Sequence, residues 1–297
     1  MKPLSGRRIG FIGTGVMGRW MIGHLAAAGA ELAIHNRSRA KAEALAGPGI
    51  RVTDTPSEAA QGADAVVLMV TDTGAVESAL FAQGGAESRL AGGALVIDMG
   101  TTAVQATREI SRRLAARGVE FVDAPVSGGE PAAREARLVI MAGGNDTALA
   151  RARPIFEVLG SRITHVGEVG AGQVAKAANQ IIVALTIGAV AEALTLAKRS
   201  GVDPARVREA MRGGFADSRI LEVHGERMIT GAFEPGGRAR IQRKDVAQAL
   251  ALAQALKLDL PASSLSLTLW DEMIRRGWGD LDHSALVKLI EAGTGNG

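Results

Sequence analysis

Residues 8–18 read RIGFIGTGVMG, a short apolar run that ends in Gly13-Thr14-Gly15-Val16-Met17-Gly18. The run is strand-like, and a G-x-G-x-x-G that directly follows a strand and opens a helix is the turn that seats a dinucleotide. The first glycine makes the tight turn, the second lets a pyrophosphate approach the backbone, and the third lets helix pack closely on strand. The helix then turns its free N-terminal N–H groups toward the phosphates. Gly13, Thr14, Gly15, Val16, Met17 and Gly18 are therefore assigned to a nicotinamide dinucleotide.

Outward from this turn, strand-like runs recur at 31–36, 65–70, 94–99, 120–125 and 138–144, with amphipathic stretches such as 38–46 and 103–117 between them. Apolar runs without strict alternation suit strands covered on both faces, and the strand–helix rhythm predicts a parallel sheet. From about residue 165 the rhythm changes, and 171–200, 203–213, 217–230, 243–257, 262–276 and 283–292 all read as helices. The expected fold is an α/β Rossmann N-terminal domain, residues 1–165, followed by an all-α C-terminal domain, residues 166–297.

The end of the second strand bears on the cofactor. A site selective for NAD usually carries Asp or Glu there to hold the ribose hydroxyls. Here the residues are His35-Asn36-Arg37-Ser38-Arg39. Arg37 can hold a 2′-phosphate bidentately while Asn36 and Ser38 donate hydrogen bonds, which predicts NADP(H) as the preferred cofactor, with NAD(H) possible. The loops after the next two strands, Val70-Thr71-Asp72 and Met99-Gly100-Thr101-Thr102, should line the same crevice, so Val70, Thr71 and Thr101 join the cofactor set.

Composition narrows the rest. There is no cysteine, hence no disulfide and no thiolate metal site. The five histidines are scattered without ligand spacing, and no metal is expected. A net charge of +3, without a basic block and with 3% aromatic residues, gives no argument for nucleic acid. The run 181–197 contains Gly188 and Glu192 and falls short of a clean membrane span, so no membrane partner is expected and a cytoplasmic location is the default. The N-terminus lacks the apolar stretch of a signal peptide.

One lysine stands out. Residues 170–180 read GAGQVAKAANQ and run into IIVALTIGAVAEALTLA, so Lys176 sits near the start of a very apolar helix. Read with GFIGTGVMG (10–18) and DAPVSGG (123–129), this segment resembles the β-hydroxyacid dehydrogenase family, and KDV (244–246) and GDLDHSAL (279–286) resemble its C-terminal signatures. The likeness runs in register over nearly the whole chain. It implies a Rossmann domain followed by a helical domain, with the active site in the cleft between them. It further implies hydride transfer between NAD(P) and a small β-hydroxy or semialdehyde carboxylate, with Lys176 as the catalytic lysine.

The residues suit that chemistry. Reducing an aldehyde by hydride creates an alkoxide, and an ammonium supplies both a proton and a positive neighbour. Lys176, Asn179 and Gln180 stand at i, i+3 and i+4 on one helix face, where Asn179 would orient the substrate carboxylate or hydroxyl. Gly172, one turn earlier, leaves room for ligand or for a facing backbone. Ser127-Gly128-Gly129 follow a strand and offer a hydroxyl and backbone N–H groups to a small anion. The resemblance adds Lys244 on the cofactor or substrate side, with Asp245 bracing its helix start, while Asp282-His283-Ser284 reads as a helix cap.

Two segments depart from the family: Glu130–Arg137, where Arg134 or Arg137 could reach the cleft edge, and Pro235-Gly236-Gly237, which removes an aromatic wall. A small, polar site makes tartronate semialdehyde (2-hydroxy-3-oxopropionate) the first expected substrate. 3-Hydroxyisobutyrate, glyoxylate and succinic semialdehyde are alternatives. Imine reductases and a non-catalytic NADP-binding regulator are remoter ones. The apolar helix and the family's habit predict self-association, as a homodimer or homotetramer.

Overall fold

The computed structural model describes residues 2–293, and the chain divides into two compact units, one ending at Lys176 and the other beginning at Ala177. Among the described residues of the first unit nine strands form one sheet. They are β1 (Arg8–Ile12), β2 (Glu31–His35), β3 (Ile50–Val52), β4 (Ala65–Leu68), β5 (Leu95–Asp98), β6 (Glu120–Asp123), β7 (Val126–Ser127), β8 (Leu138–Gly143) and β9 (Gly160–Gly167). Their order is β3-β2-β1-β4-β5-β6-β8-β7, with β9 also paired to β8.

The helices between them are α1 (Gly18–Ala27), α2 (Arg39–Glu43), α3 (Pro56–Ala60), α4 (Thr73–Phe81), α5 (Val104–Ala115), α6 (Gly129–Arg134) and α7 (Asp146–Leu159). Alternate residues of the central strands feed opposite faces. Phe11 and Val67 pack with Met21, Leu25 and Phe156 of α1 and α7, while Val66, Leu68 and Val96 pack with Val76, Leu80, Ile110 and Leu114 of α4 and α5. Two covered faces explain why these strands read as unbroken apolar runs.

The sheet is not parallel throughout, as the rhythm predicted. β8 runs antiparallel to β6 and β7, because the short connection holding α6 reverses the chain and does not cross the sheet face. The sequence did not announce β9, because most of its residues are exposed and its two apolar side chains, Ile163 and Val166, stand apart and leave no apolar run to find.

α8 (Ala171–Arg199) starts in the first unit and continues into the second. The division therefore falls inside this helix, past the expected boundary at 165, and β9 itself extends to Gly167. The reason is close packing. A Cβ on Gly172 would lie 2.4 Å from the Met141 carbonyl oxygen and 2.7 Å from that of Asp123, so the first turn of α8 rests on strand backbone. Of the two readings of Gly172, room for a facing backbone is the observed one.

The second unit adds α9 (Pro204–Met211), α10 (Arg219–Thr230), α11 (Ala239–Ala255), α12 (Pro261–Arg275) and α13 (Leu286–Ala292). Its core gathers Ala184, Ile187, Ala191 and Leu194 of α8 around Trp270, Met273 and Leu286. By length and composition α8 is apolar enough to cross a membrane, contrary to the reading of residues 181–197, and in the fold it is this unit's core helix.

Candidate active site

The registers bring the carboxyl ends of the central strands level, with Ile12 paired to both His35 and Leu68, and Asp98 to Asp123. Chain order reverses on either side of β1, and in open sheets of this kind ligands bind at such a switch point, beyond the carboxyl ends.

Gly13 has φ +110°, and a Cβ there would lie 2.2 Å from the Met69 carbonyl oxygen, so this turn requires glycine. At Gly15 a Cβ would meet nothing within 4 Å, leaving the backbone open to a ligand. The N-terminus of α1 carries no side-chain cap and no acidic residue in its first turn. The hydroxyl of Thr14 is buried and has no hydrogen-bond partner among the described residues. Open backbone, an uncapped helix end and an orphaned hydroxyl together fit a pyrophosphate. Val16 is exposed, whereas Gly18 is buried where a Cβ would strike the Gly13 carbonyl oxygen at 2.0 Å, so its smallness serves packing.

Beyond β2 the residues divide the work. The Asn36 side chain accepts from the Thr14 N–H at 3.0 Å and donates to the Ser38 carbonyl at 3.0 Å, bracing the turn from beside it. Arg39 is paired with Glu43 and Asp54. Arg37 is exposed and makes no ion pair among the described residues. Val70 lies against Gly13 and Gly100. The Thr71 hydroxyl donates to Asp72, which caps α4, and Thr101 is half-buried.

Two buried aspartates order the chain beyond β5 and β6, and the sequence reading singled out neither. Asp98 accepts from Gly100 N–H and from the Thr102 hydroxyl, at 2.9 and 2.6 Å. Asp123 accepts from the Gly170 and Gln173 N–H groups at 2.7 and 2.8 Å, capping the start of α8. Burial pushes the Asp123 carboxyl up to about 6; the two N–H donors oppose that rise, and the neighbouring Asp98 adds to it. Gln173 completes the link: its oxygen accepts from Thr102 N–H at 3.1 Å and its amide donates to the Gly100 carbonyl at 3.0 Å. The signal was present in the sequence, where LVID and FVD each end an apolar strand on an acid.

With α8 anchored, Lys176 is 8% exposed and its Nζ donates to the Val126 carbonyl at 2.9 Å. That carbonyl immediately precedes Ser127-Gly128-Gly129, so the ammonium stands beside the predicted anion turn. Gly128 and Gly129 have φ +117° and +63°, which turn the chain sharply into α6. Glu130 then accepts from Arg19 at 2.5 Å and from the Trp20 indole at 3.1 Å, and these donors hold its carboxyl below the usual range. The departure at 130–137 thus fastens the anion turn to α1, while Arg134 is exposed and Arg137 is exposed and paired with Glu135.

In the second unit Asn179 donates to the Gln180 oxygen at 2.8 Å, and Gln180 donates to Asp245 at 2.6 Å. Lys244 lies 2.9 Å from the other Asp245 oxygen. Because α11 begins at Ala239, Asp245 does not brace its start as expected; it meets α8 through Gln180. Gly237 lies against the His283 ring, which is 3.1 Å from where its Cβ would be. The fold also brings together His224, Asp282 and His283, which sequence spacing could not show. Both Asp282 oxygens are already engaged, by Ser284, by the Gly236 and Gly237 N–H groups and by Arg227.

Residues 8–167 match the NAD binding domain of 6-phosphogluconate dehydrogenase, and residues 170–290 match a domain described as the NAD-binding of NADP-dependent 3-hydroxyisobutyrate dehydrogenase. The 2-hydroxy-3-oxopropionate reductase of Escherichia coli (strain K12) is 44% identical over 96% of this chain and 97% of its own length. A probable 3-hydroxyisobutyrate dehydrogenase-like protein of Arabidopsis thaliana is 36% identical over 97% of this chain and 86% of its own. The crystal structure of 3-hydroxyisobutyrate dehydrogenase from Salmonella typhimurium superposes with a TM-score of 0.87 at 26% identity, covering 95% of this chain and 99% of that one.

Proposed function

The chain belongs to the β-hydroxyacid dehydrogenase family and is an NAD(P)-dependent oxidoreductase, and on that premise we propose that it reduces tartronate semialdehyde with NADPH. The observation that carries this reading is the buried Lys176 ammonium at the edge of the Ser127–Gly129 turn. The namesake substrate of the 44% identical relative points the same way.

When bound, the nicotinamide supplies or accepts a hydride. The Gly13–Gly18 turn and the uncapped end of α1 would hold its pyrophosphate, and Val70, Thr71, Thr101 and Lys244 would contact the rest. Ser127, Gly128 and Gly129 bind the substrate carboxylate through the hydroxyl and backbone N–H groups. Lys176 donates a hydrogen bond to the aldehyde oxygen, and as that oxygen becomes an alkoxide, a proton passes to it from Nζ. In the oxidative direction the neutral amine takes the hydroxyl proton. Asn179, three residues along the same helix, orients the substrate.

The preference for NADPH is supported by Arg37, which has no acidic partner among the described residues, and by the lack of a carboxylate at 36–38. Self-association is supported by α8 in the second unit, where Ile182 and Leu196 remain 66% and 69% exposed about four turns apart on one face. Light scattering at micromolar concentration should give a multimer, and a monomer overturns this part.

The test of the activity is nicotinamide absorbance with NADPH and NADH against tartronate, methylmalonate and succinic semialdehydes and glyoxylate. The expected result is the highest kcat/KM for tartronate semialdehyde with NADPH. Lys176→Ala should lose at least about 10²-fold in kcat while still binding NADPH. A wild type that favours NADH, with the same preference in Arg37→Ala, overturns the cofactor assignment.

A further inference from the structure

The second unit contains a buried polar chain whose direction is set by chemistry. Gln180, Gln242 and Asp245 are 8%, 3% and 4% exposed. Gln180 Nε2 lies 2.6 Å from Asp245 Oδ2. An ionised carboxylate only accepts hydrogen bonds, so the Gln180 amide must turn its nitrogen to Asp245. The second N–H of that nitrogen goes to Gln242 Oε1 at 3.3 Å, and Gln242 in turn donates to the Gln180 backbone carbonyl at 3.3 Å. Both donors of Gln180 are then spent, and its oxygen faces Asn179 Nδ2 at 2.8 Å. Asn179 is thereby fixed too, with Nδ2 against Gln180 and Oδ1 on the other side, accepting nothing from the described residues.

What the chain controls is an acceptor. A flipped Asn179 would still offer an N–H to a substrate, but only the observed orientation also offers a carbonyl oxygen. Such an oxygen attracts a hydroxyl and gains nothing from a methyl group of similar size. We propose that Asp245, acting through Gln180, is a positioning residue that makes Asn179 present Oδ1 to the substrate. The site thereby selects small semialdehyde carboxylates with a hydroxyl on the carbon between aldehyde and carboxylate over those with a methyl there. The inference rests on the assignment of Asn179 to the substrate under the proposed function, and it adds the group that gives Asn179 its polarity.

The test compares kcat/KM for tartronate semialdehyde and for methylmalonate semialdehyde, identical but for hydroxyl against methyl, on one cofactor so that changes in cofactor affinity cancel. Wild type should favour the hydroxyl by about tenfold or more, the worth of one unpaired acceptor. In Asp245→Asn the residue can donate, Gln180 can turn over, and the ratio should fall toward one. Gln180→Met cuts the chain without touching Asp245 and should lower the ratio likewise, so the result does not depend on one variant folding. The exchange Gln180→Glu with Asp245→Asn puts the carboxylate at position 180. There it accepts from Asn179 and from the amide introduced at position 245, and the ratio should be restored. A wild type that reduces neither compound overturns the function and this proposal with it. A wild type that reduces both, with a ratio unchanged in the single variants or unrestored in the exchange, overturns the positioning role alone.

Discussion

Asp123 and Asp282 are both fully buried, both accept backbone N–H groups, and both tie down the approach to a helix bearing a proposed functional lysine. Their chemistry is opposite. Asp123 has two N–H donors and a second carboxylate, Asp98, beside it, and burial raises it to about 6. Asp282 is also pushed up by burial, but the charge of His283 and hydrogen bonds from Ser284 and Gly237 outweigh that and bring it to about 2. Arg227 lies 2.6 Å from it as well. Burial alone therefore does not decide the charge of an aspartate; the number and sign of its neighbours do. Of the two anchors, the one under α8 has two backbone donors and a like charge beside it, and the one before α11 has backbone donors, a hydroxyl and an arginine.

The largest effect that could break this contrast is on stability. Asp282→Ala should cost about 3 kcal/mol in urea unfolding, since it strands Arg227 and three backbone N–H groups at once. A loss below about 1 kcal/mol would mean the carboxylate is not the organiser of that loop. Next comes Gly172→Ala, whose Cβ would fall 2.4 Å from one carbonyl oxygen and 2.7 Å from another. Backbone cannot swing aside, so about 2 kcal/mol or more is expected, with Lys176 displaced and kcat reduced.

The pH dependence of stability sharpens the comparison. A carboxyl whose pKa is raised by folding holds its proton more readily in the folded state, so stability falls as pH rises between the ordinary 3.8 and about 6. For Asp282 the sign reverses: its contribution is present above 3.8 and is lost as pH falls toward about 2. Thermal melts of Asp123→Asn should lose the decline across the upper window and keep the acid limb. A variant that retains the decline would show that another group carries it. The smallest effect is expected at Gly237→Ala, where the Cβ would meet only the His283 ring at 3.1 Å, a side chain that can shift. Less than about 1 kcal/mol should be lost, and a larger loss would make that ring as rigid as the backbone at Gly172.

Much of the first unit was legible because its function is built into backbone. Gly13 and Gly15 appear in the sequence as what they are in the fold, a forced turn and an open surface. Strands covered on both faces announce themselves as apolar runs, whereas β9, exposed along most of its length, does not. Lys176 drew attention because a charge inside an apolar helix is costly and so conspicuous, and the resemblance made it the candidate for proton transfer. Asp123 and Gln173 were missed because each acts on groups tens of residues distant, and an acid at the end of an apolar strand does not by itself say that it caps a helix 50 residues on. The same holds for His224 and His283, whose ring nitrogens meet at 3.2 Å across 59 residues.

By itself, then, the sequence determined the glycine turn after β1, the change from strand–helix rhythm to helices, and the place of a lysine near the start of an apolar helix, since each is a property of adjacent residues or of one helical period. Tertiary structure alone decided that Gly172 serves strand backbone, that Asn36, expected to donate a hydrogen bond to a 2′-phosphate, braces the glycine turn, and that Asp123 and Asp282 carry opposite shifts. It alone decided which end of Asn179 is free. Those properties depend on donors and charges gathered from distant segments, and an amide or a carboxylate acquires its direction or its pKa only from the groups that fold around it.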